Sequence, residues 1–188
     1  MNKPSPYLFI HVPKTGGTSI IHALNIYDYC CHEPISKYPR YLTKNIFTFA
    51  FVRNPFDRIL SAYNYLITEC GNNGDISFAR SHLSKFKNFN EFIREFETSA
   101  NLQSWLHFQT VFNFIDRHID FVGRYENIQA DFNVVCDRIG LLRLPLEHKN
   151  SAIHKHYSTY YDNRSINIVK KIFSRELNEF DYNFENRS

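Results

Sequence analysis

The feature that most constrains the fold of this chain is residues 7–19, which read Tyr-Leu-Phe-Ile-His-Val-Pro-Lys-Thr-Gly-Gly-Thr-Ser. Residues 7–12 form a short run rich in apolar, aromatic and β-branched side chains, which is typical of a buried strand. Pro13 ends this strand, because proline cannot continue a ladder of backbone hydrogen bonds. The pair Gly16-Gly17 permits a sharp turn and a close approach of the backbone to a ligand. The stretch therefore predicts a strand, a glycine loop and a helix.

The same stretch carries groups suited to holding an anion. Thr18 or Ser19 is expected to cap the helix, whose first turn presents backbone N–H groups at the positive end of the helix dipole. Lys14 adds a positive charge, and Thr15, Thr18 and Ser19 add hydroxyl donors. We interpret the loop as a binding site for a phosphate or a sulfate group.

The order of residues in this loop separates it from the Walker A motif. Walker A is Gly-x-x-x-x-Gly-Lys-Ser/Thr, with its lysine after the glycines, whereas Lys14 precedes both glycines. Pro-Lys-Thr-Gly-Gly-Thr-Ser after a first strand resembles instead the 5′-phosphosulfate loop of sulfotransferases that use 3′-phosphoadenosine 5′-phosphosulfate (PAPS). The closest resemblance is to the carbohydrate group, both Golgi-type and bacterial. It implies a nucleotide site formed by six loop residues: Lys14, Thr15, Gly16, Gly17, Thr18 and Ser19.

A second motif follows a second strand. Residues 45–52 are almost continuously apolar, as in a strand covered on both faces, and Asn54 is expected to cap the next helix. The segment from Arg53, Arg-Asn-Pro-x-x-Arg-x-x-Ser-x-Tyr, resembles the 3′-phosphate-binding segment of the same family. The resemblance implies that Arg53 and Ser61 bind the 3′-phosphate, and guanidinium groups do form charge-assisted bonds to phosphate oxygens. Arg58 is expected to pair with a carboxylate or to brace the loop.

Two further assignments come from the resemblance alone. Family members often carry their catalytic base as a histidine between the first helix and the next nucleotide motif, and His32 lies in the polar stretch there. By position, Lys149, Asn150 and Ser151 resemble the late loop that closes over the nucleotide. The resemblance thus implies Lys14 and His32 as the catalytic residues.

The order of the elements predicts an α/β fold. We expect a single domain over residues 1–188, with a central, mostly parallel sheet flanked by helices, in the P-loop-like architecture of sulfotransferases. Residues 121–126 are predicted to form a third strand. Apolar spacing predicts further helices, among them one over residues 102–115.

Composition narrows the expected partners. The net charge of +3 is too small to indicate nucleic-acid binding. Four cysteines, of which Cys30 and Cys31 are adjacent, show no zinc-binding spacing, so we expect reduced thiols and no metal. No run near the N-terminus is long enough for a signal peptide or a membrane span, which favours a cytoplasmic protein.

Together these features predict a sulfotransferase that moves a sulfuryl group from PAPS to a hydroxyl of a glycan-like acceptor, without a metal ion, releasing 3′,5′-ADP. One alternative is a P-loop-type kinase or phosphotransferase, which needs magnesium and a carboxylate after the second strand. Arg53 and Asn54 stand there instead, which argues against that class. A second alternative is a non-catalytic module that binds PAPS or 3′,5′-ADP. The sequence indicates no oligomeric state.

Overall fold

The structure is a computed structural model that describes residues 5–27, 32–147 and 155–185. The chain divides into two compact units. The described residues of Met1–Arg53 and Val111–Ala152 form the first unit, and those of Asn54–Thr110 and Ile153–Ser188 form the second. The organisation as one domain over residues 1–188 stays a prediction. Within the described ranges, no helix combines the length and the apolar character that crossing a membrane requires.

The first unit contains a parallel sheet of three strands in the spatial order β1 (Tyr7–Ile10), β2 (Phe47–Val52) and β3 (Phe121–Arg124). Helix α1 (Gly17–Leu24) follows β1, and the single turn α2 (Arg40–Thr43) precedes β2. Helix α7 (Ile128–Ile139) follows β3 and ends at Gly140 in the left-handed conformation. This confirms the predicted α/β fold with a parallel sheet flanked by helices. Because the strands are parallel, their carboxyl ends meet at one edge of the sheet.

Alternate strand residues build the core on one face of this sheet. Phe9, Phe49 and Phe51 are almost completely buried there. They share a cluster with apolar residues of α1 and α7: Ile20, Ile21, Phe132, Val135 and Ile139. Gly123 lies opposite Phe51, and a Cβ at this position would be 2.5 Å from the phenylalanine ring. Burying each phenylalanine contributes about 2–3 kcal/mol to the stability of the fold. The packing on this face therefore holds in place the strands that carry the loops at the sheet edge.

The second unit is helical. Its helices are α3 (Pro55–Ile67), α4 (Asn73–Phe78), α5 (Phe89–Phe96), α6 (Ala100–Ser104), α8 (Asn163–Ile172) and α9 (Ser174–Glu179), with a π-helical turn over Ala79–Leu83. A polar side chain caps most of them, as the sequence pattern favours. Asn54 accepts from the N–H of Phe56, which confirms the predicted cap, and Asn88 accepts from the N–H of Glu91.

A buried ion pair holds α3 to α9 within the second unit. Nη2 of Arg58 is 3.2 Å from both carboxylate oxygens of Glu176, and Nη1 donates to the carbonyl oxygen of Gln109 across 2.9 Å. Both charged side chains are at most 2% exposed. Of the two roles expected for Arg58, pairing with a carboxylate is confirmed.

The prediction of one helix over residues 102–115 is wrong. Only α6 and two short 3₁₀ turns, Leu106–Phe108 and Val111–Asn113, form in this region. Trp105 has an extended backbone (φ −65°, ψ 135°), which ends α6, and its ring stacks on Phe78 at 3.9 Å. The apolar spacing reflects side chains that are buried from several short elements. Burial of these side chains does not require one continuous helix.

Candidate active site

The loop between β1 and α1 turns at two left-handed residues. Lys14 has a φ of 64° and Gly16 a φ of 83°. The buried hydroxyl of Thr15 donates to the carbonyl oxygen of Val12 across 2.9 Å and closes the loop. A Cβ on Gly16 would lie 2.4 Å from Cδ1 of Ile128. Glycine is therefore required at residue 16 both by the backbone angle and by the contact with α7.

Gly16 is the N-cap of α1, and no side chain caps the helix. The prediction that Thr18 or Ser19 is the cap is wrong, because the helix already begins at Gly17 and both hydroxyl residues lie inside its first turn. Thr18 is exposed, whereas Ser19 is buried. The first turn of a helix presents backbone N–H groups at the positive end of the dipole. This is the chemistry that binds a phosphate or sulfate group.

Arg53 lies beside this loop. It is the first residue after β2, it is 7% exposed, and its Nη1 donates to the carbonyl oxygen of Lys14 across 3.2 Å. The guanidinium carbon lies 4.0 Å from the ring centroid of Tyr125, a cation–π contact. The bond to Lys14 uses one of the five N–H donors of the guanidinium. The two cationic residues assigned to opposite ends of the nucleotide are therefore neighbours.

His32 lies beside the end of β1. Its Nδ1 is 2.7 Å from the carbonyl oxygen of His11. A carbonyl oxygen only accepts, so Nδ1 carries the hydrogen, and in the neutral ring Nε2 carries the lone pair. The ring centroid of His32 is 4.1 Å from that of His11 and 6.5 Å from that of Phe114. The structure thus presents an imidazole whose tautomer suits the acceptance of a proton at Nε2.

The side chain of His11 fills the space between His32 and the loop. It is 8% exposed, and its ring stacks on Phe9 with centroids 5.5 Å apart. A Cβ on Gly17 would lie 2.1 Å from Cδ2 and 2.2 Å from Nε2 of this ring. The imidazole of His11 therefore lies directly over the first residue of α1.

Sequence reasoning assigned no role to two residues of this site, His11 and Tyr125. Each is the first residue after its strand, as Arg53 is after β2. Because the carboxyl ends of parallel strands converge, the residue that follows each strand is a candidate for a shared site. The strands predicted over residues 7–12 and 121–126 included both residues, so the sequence alone did not place them after the strand ends.

The roles of the remaining predicted residues stay predictions. Ser61 is half-buried on α3, in the second unit. Lys149, Asn150 and Ser151 lie outside the described residues, as do Cys30 and Cys31. Within the described ranges, no three His, Cys, Asp or Glu side chains come together in a group that could hold a metal ion.

A carboxylate ties β2 to the chain before β3 near their amino ends. Oδ2 of Asp120 accepts from the backbone N–H and the hydroxyl of Thr48, at 2.8 and 2.7 Å. Burial raises the pKa of Asp120, but the bonds from Thr48 and the nearby imidazole of His118 outweigh it, so that the pKa is lowered. Asp120 is therefore an ionised residue with a structural role. The cationic residues of the site, Lys14 and Arg53, lie at the opposite, carboxyl ends of the strands.

A parallel α/β sheet whose first loop presents a helix N-terminus, with a lysine and an arginine beside it, defines an α/β protein with a candidate anion-binding site at the sheet edge. The family model of the sulfotransferase family matches residues 1–183, and the chain belongs to that family. It is also 30% identical to carbohydrate sulfotransferase 11 of Danio rerio, over a stretch that covers 52% of this chain and 34% of that protein. The match thus spans about a third of the relative. These findings confirm the family resemblance inferred from the sequence.

Proposed function

We propose that this protein transfers a sulfuryl group from PAPS to a hydroxyl group of a carbohydrate acceptor. The observation that carries the proposal is the hydrogen bond from Arg53 to the carbonyl oxygen of Lys14, beside the N-terminus of α1. It places two cationic residues at one edge of the sheet, which a nucleotide with phosphates on both its 5′ and 3′ positions requires. Membership of the sulfotransferase family supports the reaction, and the similarity to a carbohydrate sulfotransferase supports the acceptor class.

The residues of the loop fit the donor. Lys14 and the backbone N–H groups of residues 15–19 would bind the 5′-phosphosulfate, and Arg53 would bind the 3′-phosphate. When bound, PAPS supplies an activated sulfuryl group whose leaving group is the 5′-phosphate. Positive charge held beside that phosphate stabilises the charge that develops on it, and removing one such group typically costs about 10²- to 10³-fold in kcat. Ser61 at the 3′-phosphate and Lys149, Asn150 and Ser151 in the closing loop stay predictions.

His32 supplies the base. The acceptor oxygen forms a bond to sulfur while the bond from sulfur to the 5′-phosphate oxygen breaks, and the hydroxyl proton passes to Nε2 of His32. The carbonyl oxygen of His11 holds the hydrogen on Nδ1, which leaves Nε2 as the proton acceptor. A positioned base of this kind contributes about 10²- to 10⁴-fold. The products are a sulfate ester and 3′,5′-ADP, and in this scheme Lys14 and the α1 dipole supply the positive charge that kinases take from magnesium.

Calorimetric titration with 3′,5′-ADP and with adenosine 5′-diphosphate, each with and without magnesium, tests the nucleotide assignment. We expect tighter binding of 3′,5′-ADP and no effect of magnesium. Magnesium-dependent binding that favours the 5′-diphosphate would establish a kinase-type site instead. Incubation with PAPS and a panel of neutral and acidic oligosaccharides, read by mass spectrometry, then tests transfer. Tight 3′,5′-ADP binding with no sulfated product would indicate a non-catalytic binding module.

A further inference from the structure

We propose that the side chain of His11 is a positioning residue, which holds the imidazole of His32 in a fixed relation to the N-terminus of α1. The inference rests on the proposed function, because it assigns His32 as the base and α1 as the phosphate site. Three contacts of one buried ring carry it: the contact with His32, the stack on Phe9 and the close approach to Gly17.

The first step concerns the orientation of His32. Its hydrogen bond from Nδ1 to the carbonyl oxygen of His11 fixes the position of one ring atom. A swing of the imidazole about that atom would move Nε2 and misalign the Nδ1–H with the carbonyl oxygen. The ring of His11, 4.1 Å away between centroids and inclined by 41°, limits this swing from one side. The hydrogen bond sets the tautomer, and the neighbouring ring holds the imidazole in the orientation that keeps this bond aligned and directs Nε2.

The second step concerns the distance from the base to the donor. The ring of His11 cannot move toward α1, because Cδ2 and Nε2 already occupy the space in which a Cβ of residue 17 would lie. On its other side the ring stacks on Phe9, which is 7% exposed in the core of the sheet. His11 is therefore wedged between the core, the phosphate loop and the base. Because the ring of His11 contacts both Gly17 and His32, it fixes the distance between the loop and the base.

Removing the ring of His11 is expected to misalign His32 while leaving the nucleotide site intact. A misplacement of about 1 Å in a reacting group costs up to about 10²-fold in rate. We therefore expect His11→Ala to lower kcat at least about tenfold, while the affinity for 3′,5′-ADP stays close to that of the wild type. His11→Phe keeps a flat ring between Phe9 and Gly17, and it should retain most of the turnover that the alanine variant loses.

The test has a readout that does not depend on turnover. Long-range ¹H–¹⁵N spectra of the imidazole nitrogens report the tautomer of His32 directly. We expect the Nδ1–H form in the wild type and in His11→Phe, and a mixture of tautomers in His11→Ala. The matched control is His82→Ala, which removes a ring stacked on Phe78 at 4.7 Å in the second unit, and it should leave the His32 signals unchanged. If His32 keeps a pure Nδ1–H form and kcat is unaltered in His11→Ala, the proposal is wrong.

A second perturbation reaches the same contact from the other side. In Gly17→Ala the new methyl group must displace the ring of His11, because only atoms of that ring come within 3 Å of it. We expect mixed His32 tautomers in Gly17→Ala and no further change in the Gly17→Ala/His11→Ala double variant. Wild-type His32 signals in Gly17→Ala would overturn the proposal. This result would count even if His11→Ala and the double variant were too unstable to measure. If the tautomers respond as expected and no acceptor is sulfated, the positioning role stands and the proposed reaction fails.

Discussion

Nη1 of Arg53 donates to the carbonyl oxygen of Lys14 across 3.2 Å, and this one bond joins the segments that follow β1 and β2. The adjacency is a consequence of parallel pairing, since Ile10 is in register with Ala50 and both strands end at the same edge. The ring of Tyr125, the first residue after β3, lies under the guanidinium at 4.0 Å. All three strands therefore contribute to the position of one cation.

Replacing Arg53 by alanine should weaken binding of 3′,5′-ADP by roughly 10- to 150-fold, the equivalent of about 1.5–3 kcal/mol for a hydrogen bond to a charged group. The measurement is calorimetric titration with 3′,5′-ADP and with AMP. AMP lacks the 3′-phosphate, so its affinity should be the same for the wild type and for Arg53→Ala. Arg80→Ala, which removes an exposed arginine paired with Glu69, is the control. An equal loss for both nucleotides would show that Arg53 acts through the loop at Lys14 and not on the 3′-phosphate.

Replacing Lys14 by glutamine should lower kcat by about 10²- to 10³-fold, because the charge beside the leaving phosphate is lost in the transition state. Glutamine keeps a Cβ at this left-handed position (φ 64°), so the backbone constraint is the same before and after the change. Steady-state kinetics with saturating PAPS gives the value. Lys85→Gln, at an exposed lysine near Glu95, should leave kcat unchanged. A rise in KM alone would assign Lys14 to binding in the ground state.

Replacing His32 by alanine should lower turnover by about 10²- to 10⁴-fold, the usual contribution of a general base. The affinity for 3′,5′-ADP should stay within about threefold of the wild type, a change below 1 kcal/mol, since the base faces the acceptor. His32→Asn is the informative companion, because its amide can still donate to the carbonyl oxygen of His11 but cannot accept a proton as imidazole does. Near-normal turnover in either variant would remove His32 from the mechanism.

Local patterns predicted the parts of the fold that depend on neighbours in sequence. The strand before Pro13 and the Asn54 cap, with Pro55 behind it, both follow from backbone rules that act over a few residues. The family resemblance selected His32, which lies beside the end of β1, and its role as the base stays a prediction.

Distant contacts account for what the sequence could not predict. Gly16, the cap of α1, has a left-handed backbone (φ 83°) and lies against Ile128 and Tyr125, which are far along the chain, whereas local capping rules favour the hydroxyls of Thr18 and Ser19. The partner of Arg58 is Glu176, 118 residues away. Local rules act over a few residues and cannot identify partners this far apart in the sequence. The sequence therefore indicated that Arg58 needs a carboxylate but not which one.

Removing either partner of the Arg58–Glu176 pair should destabilise the protein by about 3–5 kcal/mol, because a buried charge is left without compensation. Urea denaturation of Arg58→Met and Glu176→Gln measures this loss. The double variant Arg58→Met/Glu176→Leu should recover much of it, since no buried charge remains. The exposed pair Arg80–Glu69 is the matched control, and Arg80→Ala should cost at most about 1 kcal/mol. A cost of that size for Glu176→Gln would contradict the burial seen for this pair.

The cap of α8 should make stability depend on pH in the acidic range. The backbone N–H of Ser165 donates to Asp162 and lowers the pKa of its carboxyl, burial opposes this, and Arg94 adds to the lowering. A carboxyl with a lowered pKa in the folded state stabilises fully above its unfolded value, about 3.9, and loses this stabilisation as the pH falls through the folded value. Asp162→Asn keeps the cap, so the urea midpoints of the two proteins should converge between pH 5 and about pH 2. Parallel curves for Asp162→Asn and the wild type would disprove the linkage.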